Sequence, residues 1–265
     1  MANYREDPDL LNLLTAASPE DIAILIDIVT DSGKGRVSLS DDTLVKLVEQ
    51  RDSASPATLL LLAAEIQQFG GNSLVSLFRG GKGVPYHEIA YDVASHVDAN
   101  CNDKQDIAQI ETAILLKIVE KSLDKMSEDE KKEFFGQFGI TYQGIGPTAM
   151  AALITAVRAS GFAFYKMTAI IAQATAKALL GRGLTFAATG GLMRGLSVLS
   201  GPIGWAITGI WTAFDLASPA YRVTVPCVIQ LAYMRQKMKV SGCPACGEPV
   251  TKGSKFCAAC GNKLA

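Results

Sequence analysis

The chain has 265 residues, 49% of them hydrophobic, with 25 Lys and Arg against 26 Asp and Glu and a formal net charge of −1. That length supplies ample core for one large or two medium domains, which excludes a minimal scaffold stapled by disulfides. The near-neutrality is an average: residues 1–137 hold 13 cations and 24 acids, whereas residues 138–265 hold 12 cations and 2 acids. An acidic region of −11 and a cationic, apolar region of +10 are expected to do different jobs and to attract one another.

The amino terminus, MANYREDPDL, shows no apolar h-region, so the expectation is a chain without a secretory signal, placed in the cytoplasm or at the inner face of the cell membrane. Ser18-Pro19-Glu20-Asp21 reads as a helix start, with a capping residue, proline in the first turn and acids at the positive end of the helix dipole. Similar starts recur at Ser40-Asp41-Asp42 and at Ser55-Pro56, the latter helix stopping at Gly70-Gly71. A short helix is expected over Ser73 to Phe78, another after Pro85, a long amphipathic one opening at Asp103, and a capped one at Ser127-Glu128-Asp129-Glu130. No strand alternation breaks this pattern before the carboxy-terminal tail, which predicts an all-α helical body.

Arg79-Gly80-Gly81-Lys82-Gly83 has the glycines and cations of a phosphate loop, but Gly83 stands where a Walker sequence needs Ser or Thr, and the loop reads as a connection between helices. His87 and His96, nine apart, are read on one side of their helix, with no cysteine or acid at ligand spacing. Cys101 and Cys227 are isolated and read as small core residues.

Between Arg194 and Asp215 lie twenty uncharged residues, long enough as a helix to cross a hydrocarbon core of roughly 30 Å. Eleven of the twenty are strongly apolar, and Pro202 interrupts them, so this Gly/Ala-rich segment reads as a helical hairpin of marginal hydrophobicity. Two accounts compete. In one, glycines and alanines let apolar helices pack closely inside a bundle. In the other, favoured by seven cations against one acid over residues 138–235, the hairpin is masked and inserts at an anionic leaflet.

The tail CPACGEPVTKGSKFCAACGNKLA places Cys243, Cys246, Cys257 and Cys260 in two CxxCG knuckles. Gly247 and Gly261 permit the tight turns that aim backbone N–H groups at thiolate sulfurs. Four thiolates fill a tetrahedron, so the expected cofactor is structural Zn2+ with no open coordination position.

YREDPDLLNLL at the amino terminus, GGNSLVSLFRGGKGVPYHEI at 70–89 and GPIGWAITGIWTAFDLASPAYRVTVPCVIQLAYMR at 201–235 resemble the YaaW-like family of bacterial proteins over most of residues 1–235. Proteins of that family are labelled ubiquinol–cytochrome c chaperone-like, so the resemblance implies a link to assembly of respiratory membrane complexes and gives no residue a catalytic role. The sequence thus divides into an acidic helical domain at 1–137, a cationic apolar region at 138–239 and a zinc ribbon at 240–265. The expected activity is non-enzymatic and membrane-associated, with an anionic membrane surface or a membrane-protein client as partner and self-association left open. The alternative is a soluble assembly module whose ribbon contacts a client. Nucleic acid is disfavoured because aromatics are not interleaved with Lys237, Lys239, Lys252, Lys255 and Lys263.

Overall fold

The structure, a computed structural model, describes residues 4–36, 39–71, 83–142, 144, 147–159, 161–181, 220–246, 249–257 and 259–264. Its body is all α-helical. In chain order the helices are α1 (Pro8–Ala16), α2 (Pro19–Thr30), α3 (Asp41–Glu49), α4 (Pro56–Gly71), α5 (Tyr86–His96), α6 (Ile107–Leu123), α7 (Glu128–Gly136), α8 (Pro147–Ala159), α9 (Gly161–Leu180) and α10 (Tyr221–Lys237). The expected helix at 73–78 and the uncharged segment at 195–214 lie outside the described residues.

Local chemistry explains most boundaries. Asp7 caps α1 by accepting from the Leu10 amide at 3.1 Å, with Pro8 in the first turn. Ser127 and Glu130 form a reciprocal capping box at the start of α7. One start moves. Instead of opening at Asp103, the long amphipathic helix begins after Asp106, whose capping box with Gln109 fixes α6. The preceding residues are diverted into a turn, because the Asn102 side-chain Oδ1 accepts from the Lys104 backbone amide and the Gln105 side-chain Oε1 accepts from the Asn102 backbone amide, both at 3.0 Å. At the end of α2 the backbone passes through positive φ at Asp31, Ser32 and Gly33. Arg36 then reaches back to donate to the Ile28 and Val29 carbonyls at 2.9 and 3.1 Å.

Helix α10 is the axis of the body. Every residue from Val223 to Met234 is buried, so the helix is enclosed on all sides, with Thr224 and Gln230 the polar residues within that stretch. It packs against α2, α4, α5, α6 and α9, and one hydrophobic core runs from Leu10 and Leu14 through Ile114 and Phe134 to Tyr233. Arg51 ties the end of α3 to α2 with two donor bonds to the Asp27 carboxylate at 2.8 and 2.9 Å. Because Asp27 is almost wholly buried, Arg51→Ala should cost about 1.5–3 kcal/mol, measured by denaturant unfolding.

Among the described residues no single helix is long and apolar enough to cross a membrane. One pair, Thr148–Val157 with Gly161–Leu180, reaches that length and hydropathy only jointly, and it is bent by 111°.

The tail follows α10 closely. Val240–Gly242 forms β1, which pairs antiparallel with β2 (Pro249–Thr251) in the register Val240 to Thr251 and Gly242 to Pro249. Val240 packs against the main core, and Thr251 lies so near Gly161 that a Cβ there would sit 3.3 Å from its methyl group.

Candidate functional site

The ribbon brings together the four cysteines that spacing singled out. The sulfurs of Cys243 and Cys260 are 3.7 Å apart, as are those of Cys246 and Cys257, and all four lie within 4.8 Å of one another. Sulfurs bound to one Zn2+ at ~2.3 Å stand roughly 3.8 Å apart in a tetrahedron, so the donor set fits that ion. A disulfide requires sulfurs ~2.05 Å apart, and none of the six cysteines forms one. At Cys243 burial raises the thiol, but N–H groups of Cys246 and Ala245 outweigh it and bring the value down to about 7. This is the thiolate-directed amide pattern expected of a knuckle. The second knuckle turns at Gly261, whose φ of 73° is the left-handed conformation that glycine adopts without strain. Gly247 lies outside the described residues.

A metal held by all four sulfurs has no position left for substrate, so the arrangement supplies folding energy rather than Lewis acidity. Purified protein should contain one zinc per chain. Replacing Cys246 and Cys257 with Ser should remove it while the helical body still unfolds cooperatively, because the ribbon core of Cys243, Val250, Cys257 and Leu264 is separate from the body's. Wild type without zinc by elemental analysis, or a variant without helical circular dichroism, would count against this assignment.

A second cluster was not singled out in the sequence. Fully buried Glu111 on α6 accepts from the Tyr86 hydroxyl at 2.8 Å and from Arg235 Nε at 3.1 and 3.3 Å. The Tyr86 amide in turn donates to Asp7 at 2.7 Å, linking the cap of α1 to the start of α5. Burial pushes the Glu111 carboxyl above its usual range, with Arg235 and the Tyr86 hydroxyl opposing it. Burial also drives the Tyr86 phenol well up, and the adjacent carboxylate adds to that. A neighbouring tie joins Lys237 to Asp21 at 2.7 Å and to Ser18 at 3.2 Å. Both ties run from the last turns of α10 to acids of residues 1–137, so the charge split of the sequence becomes two specific contacts. The signal for Glu111 was present: it shares the apolar face of α6 with Ile114, Leu115 and Ile118 at helical spacing. A carboxylate on such a face demands a partner.

The other sequence candidates resolve differently. The histidines do not share a side, since nine residues turn a helix through about 900°, half a turn off register. His87 pairs with the Gln105 carbonyl oxygen at 2.8 Å, while His96 stacks on Tyr221 with ring centroids 3.7 Å apart. Cys227 is buried and burial pushes its thiol up to about 12, which removes it as a nucleophile; half-buried Cys101 packs on the core. Of the glycine-rich loop, only Gly83 is described, and its role is steric: a Cβ there would stand 2.9 Å from the Gln67 Cβ. Gln67 also grips the backbone of Arg5 through bonds of 2.8 and 2.9 Å. Between α6 and α8 runs an open groove of about 620 Å³, floored by Ala113, Leu116, Met150 and Ile154 and rimmed by Asp106 and Glu120.

A family model described as ubiquinol-cytochrome C chaperone matches residues 61–229, and one described as a zinc-ribbon domain matches 242–264. A UPF0174 protein of Helicobacter pylori strain J99 is 38% identical over 240 residues, covering 88% of this chain and 93% of that protein. The chain belongs to the UPF0174 family. Another UPF0174 protein of that strain is 38% identical over 184 residues, covering 67% of the chain and 88% of its own length. The UPF0174 protein YaaW of Escherichia coli K12 is 28% identical over 246 residues, covering 90% and 98%. No solved structure matches. In this UPF0174 chain the chaperone match contains Tyr86 and Glu111 but not their partners Asp7 and Arg235.

Proposed function

We propose that the protein is a non-enzymatic assembly factor at the cytoplasmic face of a membrane, where it holds a membrane-protein client, with Zn2+ bound by Cys243, Cys246, Cys257 and Cys260 as a structural ion. The observation that carries this reading is the match of residues 61–229 to a family described as a chaperone. The chemistry of the site supports it. Two perturbed groups, the Glu111 carboxyl and the Tyr86 phenol, are sealed in the core, where they join helices rather than meet substrate. A tetrathiolate centre adds no reactive position.

A soluble client-binding module is the second reading, favoured by the groove between α6 and α8, whose apolar floor and charged rim of Asp106, Glu120 and Lys117 suit an amphipathic segment. Affinity purification of the tagged full-length protein from detergent-solubilised membranes tests the first reading. A membrane protein should co-purify in near-stoichiometric amount. If the bound proteins come only from the soluble fraction, the second reading replaces the first.

A further inference from the structure

We propose that the outer face of the ribbon, formed by Phe256 with Lys255 and Lys263, docks the protein on an anionic lipid surface. The inference rests on the membrane-face reading above and assigns the contact to specific residues. Phe256 is the sole aromatic of residues 240–265, yet it is 60% exposed, while the ribbon core is made by Cys243, Val250, Cys257 and Leu264. A domain with so small a core leaves its largest apolar side chain in water. Phe256 forms an antiparallel bridge with Lys263, so the two side chains stand on the same face, and Lys255, also exposed, precedes Phe256 in the chain.

Every charged residue among the described part of the ribbon is a lysine: Lys252, Lys255 and Lys263. The turn leading to Phe256 also borders a hollow of about 270 Å³ lined by Ser241, Thr251, Lys252, Ser254 and Leu264. Hydroxyls and an ammonium around a small hollow can donate to the phosphate oxygens of a lipid headgroup, while Phe256 enters the acyl boundary and the lysine stems lie along it.

The single aromatic favours lipid over nucleic acid: it gives one stacking platform, whereas single-stranded nucleic acid is held by successive ones. An apolar tip ringed by short-range cations suits an interface instead.

The test is co-sedimentation of zinc-loaded full-length protein with vesicles of phosphatidylcholine alone or mixed with phosphatidylglycerol. Wild type should prefer the anionic vesicles by roughly tenfold or more, since each lysine near the surface adds to the attraction. Phe256→Ser should weaken that binding about tenfold, with zinc content and unfolding midpoint unchanged because the side chain lies outside the core. Lys255→Glu with Lys263→Glu should abolish the anionic preference, and Val45→Ser, at an exposed valine on α3, should leave binding as it was. If wild type and Phe256→Ser bind alike, this face is wrong while the membrane reading stands. If wild type binds neither vesicle, the lipid contact is overturned while the client reading is decided by co-purification, and binding to oligothymidylate in place of vesicles would mark the face as a nucleic-acid site and overturn the proposal.

Discussion

Arg235→Met should destabilise the protein by about 3–5 kcal/mol, because it leaves the fully buried Glu111 carboxylate without its cation. The loss should depend on pH in a defined direction. Burial already holds the Glu111 carboxyl above the ordinary value of 4.5, and removing Arg235 withdraws the main influence opposing that shift. Between the unfolded value and the raised folded one, the folded state binds more protons than the unfolded state. Stability therefore falls as pH rises through that window and returns on acidification. Adding Glu111→Gln to Arg235→Met removes the uncompensated charge, so the double variant should be more stable at neutral pH than Arg235→Met alone, with the pH dependence flattened. Urea unfolding from pH 4 to 8 reads all of these quantities. A loss below about 1 kcal/mol for Arg235→Met would mean that water reaches Glu111 and that the network does not hold α6 to α10.

Separating the halves should have a still larger effect. Residues 138–239 without residues 1–137 should aggregate or associate with membranes, since the faces of α10 that rest on α2, α4, α5 and α6 would be exposed. Residues 1–137 alone should in turn lose cooperative unfolding, because α10 supplies the centre of the shared core and the partners of Asp21 and Glu111. Size-exclusion chromatography and thermal unfolding of the two fragments check this. A monomeric 138–239 fragment that stays in solution would contradict it.

Helix starts were legible where capping chemistry is local: Ser40, Ser55-Pro56 and Ser127 announce α3, α4 and α7 through bonds spanning three residues. The same logic at Asp7-Pro8 marks α1, which sequence reasoning passed over. At Asp103 the pattern misled, because Asn102 and Gln105 capture nearby amides and delay the helix to Asp106, a competition between side chains that residue type alone does not decide. The metal centre was the most legible feature, since its ligands come from one short stretch whose spacing fixes the geometry. The Asp7–Tyr86–Glu111–Arg235 network was hidden for the opposite reason: its bonded partners lie as far as 124 residues apart and meet only when α10 docks. Phe256 shows a third case. Its position beside Lys255 is plain in the sequence, but only the structure shows that the ribbon core excludes it.

Fractionation of cells expressing the native full-length protein tests most directly whether it works at a membrane. Membranes collected at low salt should carry most of the protein, and carbonate or high salt should release it, because a contact made by lysines and one aromatic is peripheral. Recovery of the protein in the low-salt supernatant, with none in washed membranes, would contradict the account.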